Sequence, residues 1–356
     1  MLTVLVPAHK AGHMEGSDTP QIVETIQSLQ SQTTKPDRII VLANNGGLTD
    51  GTIEVSQAAG AEVVAVPPNP DKKAGALNYW LGRQLESLDD QDLILVMDAD
   101  SALNPDFIEN GLKYINKGYH CVGGIFLGKE GGGFVGILQR NEYARYARDV
   151  ARKKGRTLVL TGTATIFTAE CLKDVVAHRA SGGLPDTGEV SYVYDTKALT
   201  EDNELTYALM HIGYDIIAPP ECGLKTEVME TWLSLAKQRY RWKRGAVENN
   251  RHYGITRPTF RYWCLQWWGT LGINATVLYL ITLTIGAISG TLNFHPLWIA
   301  ITALYVLERA LTVRARGWKQ SLMASAIIVE MPYDLFLQAV QVKALFGAAF
   351  RTNTTW

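Results

Sequence analysis

Cysteine, net charge and an apolar leader are all scarce or missing in this sequence, which rules out several classes of protein. The 356 residues include four cysteines, without the close pairs of a zinc site or of a disulfide-rich secreted fold. The 34 basic residues balance 35 acidic residues, so nothing indicates a nucleic-acid-binding protein. The amino terminus holds only a brief apolar run that ends at Pro7, unlike a signal peptide. We therefore expect the polar part of the chain to lie in the reducing cytoplasm.

Apolar residues are unevenly distributed along the chain. The chain is long enough for an α/β domain of about 250 residues and a second part. Up to about residue 261 the composition is that of a soluble domain, whereas the remainder contains long uncharged runs. We predict three regions: an α/β domain over residues 1–225, an amphipathic helix with a linker over 226–262, and a membrane region over 263–356.

Two aspartates close a buried strand in the first region. Residues 93–97 form a short aliphatic run, typical of a strand covered on both faces, and Asp98 and Asp100 follow. Side chains alternate along an extended chain, so both carboxylates leave the sheet on one side, at the edge where open α/β sheets bind ligands. Close carboxylates repel unless a cation or a proton lies between them. The pair predicts a site for a divalent ion and a diphosphate, although two solvated turn aspartates have the same pattern.

Strand and helix patterns alternate through the first 130 residues. The predicted strands are residues 2–6, 38–43, 62–66, 93–97 and 120–127. Helical patterns lie between them, the last over residues 104–116. This alternation indicates an α/β fold with a Rossmann-like sheet, mixed but mostly parallel, and helices on both faces.

Several short motifs occur in the order and spacing of one enzyme family. The chain has an opening V-P-A strand, a turn rich in Asn and Gly, and K-A-G-A-L-N from Lys73. D-x-D, T-E-D and Q-x-x-R-W then end at Asp100, Asp202 and Trp242. Over about residues 2–245 the chain therefore resembles the GT-A domain of glycosyltransferase family 2, near the branch of cellulose, chitin and hyaluronan synthases.

The resemblance implies a glycosyltransferase that uses a nucleotide-sugar and Mg²⁺ or Mn²⁺, and it assigns roles to individual residues. Asp202 is the implied catalytic base, and Asp98 and Asp100 are the implied metal ligands. The implied donor-binding residues are Pro7, Ala8, His9, Asn45, Lys73, Asp98, Asp100, Gln238, Arg241 and Trp242. The implied acceptor-binding residues are Gly162, Thr163, Glu201 and Trp242.

The residue types at these positions suit the chemistry. Asp202 lies in the first turn of a predicted helix that ends near His211, where the helix dipole favours an ionised carboxylate, as a base requires. Lys73 at a helix start can neutralise phosphate charge beside backbone N–H groups that also favour anions. Gly162 would let a sugar ring approach closely. A capping acid, a solvated lysine and a plain strand edge are the corresponding non-functional interpretations.

Two features depart from the family pattern. The paired aspartates that typically hold the nucleotide base are Asn44 and Asn45 here. Because amides can still bond a uracil edge, a UDP-sugar is the first expectation, with another nucleotide left open. No membrane-spanning segment precedes the catalytic domain in this sequence, whereas many polymer synthases carry helices there.

A glycine-rich stretch at residues 131–136 formally matches the dinucleotide fingerprint G-x-G-x-x-G. The fingerprint belongs in the first βα unit, with an acid about twenty residues later. This stretch follows the fifth or sixth strand, and Asp149 would lie inside the next helix. We therefore expect a flexible loop near the sugar or the acceptor, and not a dehydrogenase.

Residues 226–245 are predicted to form one amphipathic helix. Gln238, Arg241 and Trp242 fall on one face of it, where arginine can bond phosphate and tryptophan can stack on a sugar. The helix is also basic, which suits contact with an anionic membrane surface. Its other basic residues are Lys237, Arg239, Lys243 and Arg244.

The last region contains two predicted membrane spans and an ambiguous segment. Residues 267–289 and 296–313 are the spans, since roughly 20 apolar residues suffice to cross a bilayer. Basic residues flank both on one side, which the positive-inside rule makes cytoplasmic. Residues 322–350 include Glu330 and Asp334, and form either a third span with buried charges or a helix in the interface. A buried helical core is the alternative for the whole region.

These observations predict a membrane-associated, inverting glycosyltransferase with a cytoplasmic catalytic domain and a glycan acceptor. Two or three spans are too few to enclose a polysaccharide channel in one protomer. Either homo-oligomers form, or single sugars pass to a polyprenyl-phosphate lipid or a protein. A different class is an inactive membrane protein that only binds nucleotide-sugar, and the retained Asp98, Asp100 and Asp202 argue against it.

Overall fold

The structure, a computed structural model, divides the chain into two units. The described residues are 1–11, 20–44, 50–185, 192–292 and 296–350. The first unit contains residues 1–131 and 146–228, and the second contains residues 132–145 and 229–356. Asn45, predicted to bind the nucleotide base, lies outside the described residues.

Ten strands and most helices of the described chain belong to the first unit. The strands are β1 (Leu2–Ala8), β2 (Arg38–Ala43), β3 (Glu62–Ala65), β4 (Leu93–Met97), β5 (Ala102–Leu103), β6 (Cys121–Gly123), β7 (Ile125–Gly128), β8 (Ala164–Thr168), β9 (Ile216–Ile217) and β10 (Gly223–Thr226). The helices are α1 (Gln21–Gln30), α2 (Thr52–Ala58), α3 (Lys72–Gln84), α4 (Phe107–Ile115), α5 (Gly133–Arg152), α6 (Ala169–Ala180) and α7 (Glu201–His211). Helix α5 begins in the second unit and ends in the first.

The larger sheet has seven strands in the order β3-β2-β1-β4-β8-β6-β9. β1 pairs in parallel with β2 and β4, β2 with β3, and β6 with β9. β8 runs antiparallel to both of its neighbours, β4 and β6. The prediction of a mixed, mostly parallel sheet is confirmed, and the strand at the D-x-D motif lies near its centre.

Aliphatic side chains from the central strands form the core of this sheet. Val4 and Leu5 of β1 are consecutive and therefore point to opposite faces, and both are fully buried. Leu95 of β4 is buried as completely, as the aliphatic run predicts for a strand covered on both faces. Each such burial contributes about 1.5–3 kcal/mol. This packing fixes the ends of β1 and β4, and Asp98 follows β4 directly.

The prediction of a single strand over residues 120–127 is wrong, because the chain forms β6 and β7 in two different sheets. Gly124 separates the two strands. A Cβ atom at this position would lie 2.4 Å from the Leu224 side chain and 2.8 Å from that of Phe107, so the change of direction requires glycine. β7 and β5 flank β10 in the smaller, three-stranded sheet.

Two helices begin later than the sequence pattern indicates. Helix α4 starts at Phe107 and not at residue 104, since the residue before Pro105 is driven out of the helical region. Helix α8 (Trp232–Tyr253) starts at Trp232 and not at residue 226, because Thr226 ends β10 and Thr231 occupies the N-cap position. A capping box formed by Thr231 and Ser234 sets its first turn.

The second unit is helical throughout its described residues. Besides the first part of α5 it contains α8 (Trp232–Tyr253), α9 (Phe260–Ile288), α10 (Pro296–Thr312), α11 (Trp318–Ser325) and α12 (Ile327–Ala349). The prediction of a flexible loop over residues 131–136 is wrong for residues 133–136, because they form the start of α5. The glycines before it turn the chain into the helix, with φ of 116° at Gly131 and 65° at Gly132.

A buried ion pair joins α5 and α8 in the second unit. The Arg239 guanidinium lies 2.9 Å from the Glu142 carboxylate, which also accepts a hydrogen bond from the Tyr333 hydroxyl group at 2.6 Å. Arg239 is only 2% exposed, and Arg244 is buried beside Glu248. The expected basic, membrane-facing surface of α8 is therefore wrong for these two arginines, which stabilise the interior of the unit.

Helix α9 is the one helix of the described residues that is long and apolar enough to cross a membrane by itself. Helices α11 and α12 meet the same criterion only as a pair, and they are bent by 71° at the break between them. Helix α10, the second predicted span, is apolar and solvent-exposed but has 17 residues. Large apolar side chains such as Trp267, Trp268 and Leu278 of α9 are exposed.

Candidate active site

The site lies where β4 and β8 meet, since the two strands are antiparallel and the end of one faces the start of the other. Met97 of β4 is paired with Ala164 of β8. One residue further on, the Asp98 N–H group donates a hydrogen bond to the Thr163 carbonyl oxygen at 3.3 Å. The loop before β8 therefore lies beside the D-x-D motif, and it brings the predicted acceptor residues Gly162 and Thr163 to the predicted metal ligands.

Lys73 connects the two ends of the site. Its ammonium group lies 2.5 Å from Asp98 Oδ1 and donates to the Gly162 carbonyl oxygen at 3.2 Å. The same group lies 3.6 Å from Glu201 Oε1. Burial by itself lowers the pKa of Lys73, but the negative charges of Asp98 and Glu201 outweigh it and raise the pKa, so the side chain stays charged.

Asp202 occupies the first turn of α7, as predicted. Its Oδ2 accepts a hydrogen bond from the Gly162 N–H group at 3.0 Å, and its Oδ1 accepts from the Asn203 N–H group at 2.8 Å. Burial, and then the charge of Glu201, raise its pKa, whereas Lys73 and the two N–H groups oppose the rise. The carboxylate is thus oriented by the backbone and is more basic than an exposed aspartate.

The two aspartates of the D-x-D motif also have raised pKa values. For Asp98, burial and then Asp100 and Glu201 raise the pKa to about 6 against the opposing effect of Lys73. For Asp100, burial and the charge of Glu227 raise the pKa. For both carboxylates the effect of burial and neighbouring acids on the pKa exceeds that of the nearby lysines, and a bound cation would add further positive charge.

Asp100 is oriented by the neighbouring small sheet. Its Oδ1 accepts hydrogen bonds from the hydroxyl groups of Ser101 at 3.2 Å and Thr226 at 3.3 Å. Thr226 ends β10, and Glu227 follows it. The sequence analysis missed Thr226 and Glu227, because no local pattern reveals that β10 ends beside the D-x-D motif.

Asp98 and Asp100 could supply part of the ligand set of a divalent ion, which substrate phosphate and water would complete. No group of three or more His, Cys, Asp or Glu side chains in the described residues could hold a metal ion. Mg²⁺ and Mn²⁺, however, are often bound by one or two carboxylates together with phosphate oxygens and water. Asp98 and Asp100, with their raised pKa values, have the chemistry for that incomplete set.

A small cavity lies between these groups. Its lining residues include Lys73, Gly162, Tyr194, Glu201 and Asp202. A Cβ atom at Gly162 would lie 2.5 Å from the Lys73 Nζ atom, so the absence of a side chain is what allows the ammonium group to sit there. Tyr194 is a further residue that the sequence analysis missed, since it belongs to no motif.

The remaining predicted donor-binding residues of the first unit lie at or after the ends of strands β1 and β2. Pro7 and Ala8 end β1, the strand beside β4, and His9 follows them. Asn44 ends up buried after β2, where its Oδ1 accepts a hydrogen bond from the Asn69 amide at 2.6 Å. Their position at the same sheet edge agrees with donor binding, which stays a prediction.

Helix α8 contains Gln238, Arg241 and Trp242, as predicted. This helix belongs to the second unit, whereas the site residues described above belong to the first. The Gln238 Oε1 accepts a hydrogen bond from Arg239 at 2.5 Å. The Arg239 guanidinium also lies 4.4 Å from the centre of the Trp242 ring. Buried Arg239 thus holds two of the three residues, and their contact with a substrate stays a prediction.

Comparison with known proteins gives a family match over most of the chain. The family model described as "Glycosyltransferase like family 2" matches residues 2–245. The chain is 24% identical over 270 residues to the probable glycosyltransferase YdaM of Bacillus subtilis, covering 68% of this chain and 54% of that protein. It is 26% identical over 239 residues to the poly-beta-1,6-N-acetyl-D-glucosamine synthase of Staphylococcus epidermidis, covering 63% of this chain and 52% of that protein. The chain spans about half the length of these curated relatives.

Among solved structures, the mannosyltransferase PcManGT of Pyrobaculum calidifontis, in complex with GDP-Man and Mn²⁺, has a similar fold. The TM-score is 0.59 at 16% sequence identity, and the match covers 99% of this chain and 88% of that chain. At this identity the likeness shows a shared α/β, GT-A-like fold and nothing about the substrate.

Proposed function

This chain belongs to glycosyltransferase-like family 2, and we propose that it is a glycosyltransferase that transfers a sugar from a nucleotide-sugar to a glycan hydroxyl group with inversion. Asp98 and Asp100 hold the donor diphosphate through a divalent ion in this proposal. Asp202 is the general base. Gly162, Thr163 and Glu201 line the acceptor end.

The donor end combines Asp98, Asp100 and Lys73. Mg²⁺ or Mn²⁺, when bound, acts as a Lewis acid on the diphosphate. The Lys73 ammonium adds a second positive charge beside Asp98, at the start of a helix whose N–H groups also favour anions. PcManGT, which shares the fold, was solved with GDP-Man and Mn²⁺. A UDP-sugar is the first donor to test, with a GDP-sugar beside it.

The acceptor end contains the base. Asp202 takes the proton of the acceptor hydroxyl group while that oxygen bonds to the anomeric carbon and the bond to the diphosphate breaks. Its raised pKa makes it a stronger base, and its two backbone hydrogen bonds keep the carboxylate in one orientation. Attack from the face opposite the diphosphate converts an α-linked donor into a β-linkage.

The position of Lys73 is the observation that carries the proposal. One ammonium group lies within 3.6 Å of both Asp98 and Glu201, the residue before Asp202. Group transfer requires donor and acceptor atoms to meet in one cavity, and this lysine joins the acids assigned to the two substrates.

We place the second unit at a membrane. Helix α9 has the length and apolar composition of a span, and α10 and the bent pair α11–α12 extend the apolar surface. The catalytic unit then lies on the cytoplasmic side, by the positive-inside rule. Lipids are direct partners of α9 in this arrangement, and homo-oligomers would be needed to enclose a growing polysaccharide. Gln238, Arg241 and Trp242 take part in donor binding, and Trp242 also in acceptor binding, as the family motif implies.

Asp202→Asn tests the base. We expect the variant to fold and to bind nucleotide-sugar, while kcat falls about 10²–10⁴-fold, the usual contribution of a positioned base. Release of UDP or GDP by the purified full chain with Mn²⁺ measures turnover, and calorimetry measures donor binding. Asp106→Asn changes an exposed acid at the N-cap position of α4 whose side chain makes no capping bond; it is the matched control and keeps full activity. Undiminished turnover in Asp202→Asn would remove the assignment.

The size of the product decides between acceptors. A glycan that lengthens with time supports a polysaccharide synthase, as in the relative from Staphylococcus epidermidis. Addition of one sugar to a polyprenyl phosphate or to a protein would establish the alternative transferase.

A further inference from the structure

Tyr194 lines the same small cavity as Lys73, Glu201 and Asp202, and no family motif contains it. Its side chain is almost completely buried. Its backbone makes two hydrogen bonds, whereas its hydroxyl group has no hydrogen-bond partner in the described part of the chain. The cavity, of about 10 Å³, holds one water-sized group, so one hydroxyl group of a ligand can enter it and bond the Tyr194 hydroxyl group.

Helix α3 fixes the backbone of Tyr194 through one side chain. The Asn78 amide group donates to the Tyr194 carbonyl oxygen at 2.8 Å, and the Asn78 Oδ1 accepts from the Tyr194 N–H group at 3.0 Å. Asn78 is itself buried, and it lies in the helix that carries Lys73 in its first turn. One helix therefore places both the ammonium group and the tyrosine at the cavity.

Arg179 holds the neighbouring residue from the other side. Its guanidinium donates to the Val193 carbonyl oxygen at 3.3 Å and to the two Glu204 carboxylate oxygens at 3.0 and 2.8 Å. Glu204 lies in the first turn of α7, the helix of Asp202. Tyr194 itself lies in a loop, and side chains of α3 and α6 hold the backbone of that loop, which is the kind of support that placement of a ligand requires.

The lining of the cavity favours a neutral ligand. Among the described lining residues, the two acids Glu201 and Asp202 outnumber the one cation, Lys73. The Lys73 ammonium group already contacts the carboxylates of Asp98 and Glu201. The hydroxyl groups of Thr161 and Thr206 make bonds within the protein. An anionic acceptor would be repelled by two acids, whereas a neutral polyol can bond the Tyr194 hydroxyl group and the acids.

We propose that Tyr194 binds the acceptor and selects a neutral, hydroxyl-bearing ring over an anionic one, and that Asn78 positions it. This inference rests on the proposed function. The Tyr194 hydroxyl group bonds a ring hydroxyl next to the one that Asp202 deprotonates. In the transfer, the deprotonated oxygen bonds to the anomeric carbon, the diphosphate leaves with the electron pair of the broken bond, and the proton stays on Asp202.

Tyr194→Phe keeps the ring and removes only the hydroxyl group. We expect the KM for a neutral oligosaccharide to rise about three- to tenfold, the value of one neutral hydrogen bond. The KM for the nucleotide-sugar and the slow hydrolysis of donor without acceptor stay unchanged, whereas a purely structural defect would alter all three. Steady-state release of the nucleotide diphosphate measures them. Tyr114→Phe, at a tyrosine of the same unit outside the cavity lining, is the control.

Asn78→Ala tests the positioning role. The acceptor KM should rise as in Tyr194→Phe, and the double variant should show no further rise, because both changes remove the same placed hydroxyl group. A rise in the double variant equal to the product of the two single effects would contradict the role of Asn78.

The choice of acceptor is tested on the wild-type full chain with one donor panel. The two probes are neutral β-linked oligosaccharides and a polyprenyl phosphate in phosphatidylcholine vesicles. Transfer to the oligosaccharides supports the inference. Transfer to the polyprenyl phosphate alone, or an unchanged acceptor KM in Tyr194→Phe, overturns it while leaving glycosyl transfer intact. Absence of nucleotide release with every donor would contradict the proposed function and this inference with it.

Discussion

Gly162 lies where the charged groups of the site meet, and its backbone acts as one of them. Its carbonyl oxygen accepts a hydrogen bond from Lys73, and its N–H group donates one to Asp202. One peptide unit on each side of this residue thus orients both the cation and the base. A side chain would occupy the space that the ammonium group needs.

Gly162→Ala is therefore expected to lower kcat/KM about 10–100-fold, equivalent to losing one hydrogen bond to a charged group. The new Cβ atom would lie 2.5 Å from the Lys73 Nζ atom and displace it from Asp98 and the carbonyl oxygen. Steady-state nucleotide release measures the effect.

Gly82→Ala is the matched control, because Gly82 lies in α3 and has open space around its Cβ position. Alanine is also the better helix former, so activity should be unchanged and stability slightly higher. Equal activity losses in the two variants would contradict the specific role of Gly162.

Individual site residues were predictable where a motif marks them. Lys73, Glu201 and Asp202 line one cavity, and Asp98 contacts Lys73. The roles that the motifs imply for these residues stay predictions. No local sequence signal marks Tyr194, Asn78, Thr226 or Glu227, because the role of each depends on which distant segment it contacts.

Helix α7 depends on a buried ion pair for its position. Arg179 of α6 and Glu204 of α7 lie 2.8 Å apart, with both side chains almost completely buried. Arg179 also donates to backbone carbonyl oxygens of Pro185 and Val193. These bonds hold the start of the helix that carries Asp202.

Arg179→Met is expected to destabilise this part of the first unit by about 3–5 kcal/mol, because it removes the positive charge that contacts the buried Glu204 carboxylate. Hydrogen exchange of the α7 amides reports the free energy of opening. Arg38→Met breaks the exposed pair of Arg38 with Glu62 and is the control, with an expected cost of about 0–1 kcal/mol. Unchanged protection of α7 in Arg179→Met would show that other contacts hold the helix.

Secondary structure followed the sequence patterns closely where the pattern is local. Strands β2 and β4 have the predicted bounds, and α7 runs from the T-E-D motif to His211. The errors fall where tertiary contacts decide. Gly124 divides one apolar run between two sheets. Thr226, the first residue of the predicted helix, ends β10, and α8 begins only after the N-cap residue Thr231.

The apolar helices of the second unit define how the whole molecule meets its surroundings. The side chains of α9 and α10 are largely exposed in the isolated chain, and such a large apolar surface requires a cover. A lipid bilayer is the cover that we propose.

Full-length protein is accordingly expected to remain with membranes after alkaline carbonate extraction. Leu278→Arg with Ile281→Arg places two charges on exposed positions of α9, at about 2.5–3.5 kcal/mol each in a bilayer centre, and should release a larger fraction. Leu278→Ala with Ile281→Ala is the control and should remain bound. Complete extraction of the wild-type chain would contradict the membrane assignment.

The sequence by itself determined the α/β class, the positions of β1 to β4, the family and the acids proposed for the site, because hydrophobic periodicity and short motifs are local properties of the chain. The tertiary structure decided which strand pairs with which, that Lys73 bridges Asp98 and Glu201, and that Asn78 holds Tyr194 at the cavity. Those contacts join residues far apart in the chain, and only the packing of a complete core brings such residues within hydrogen-bonding distance.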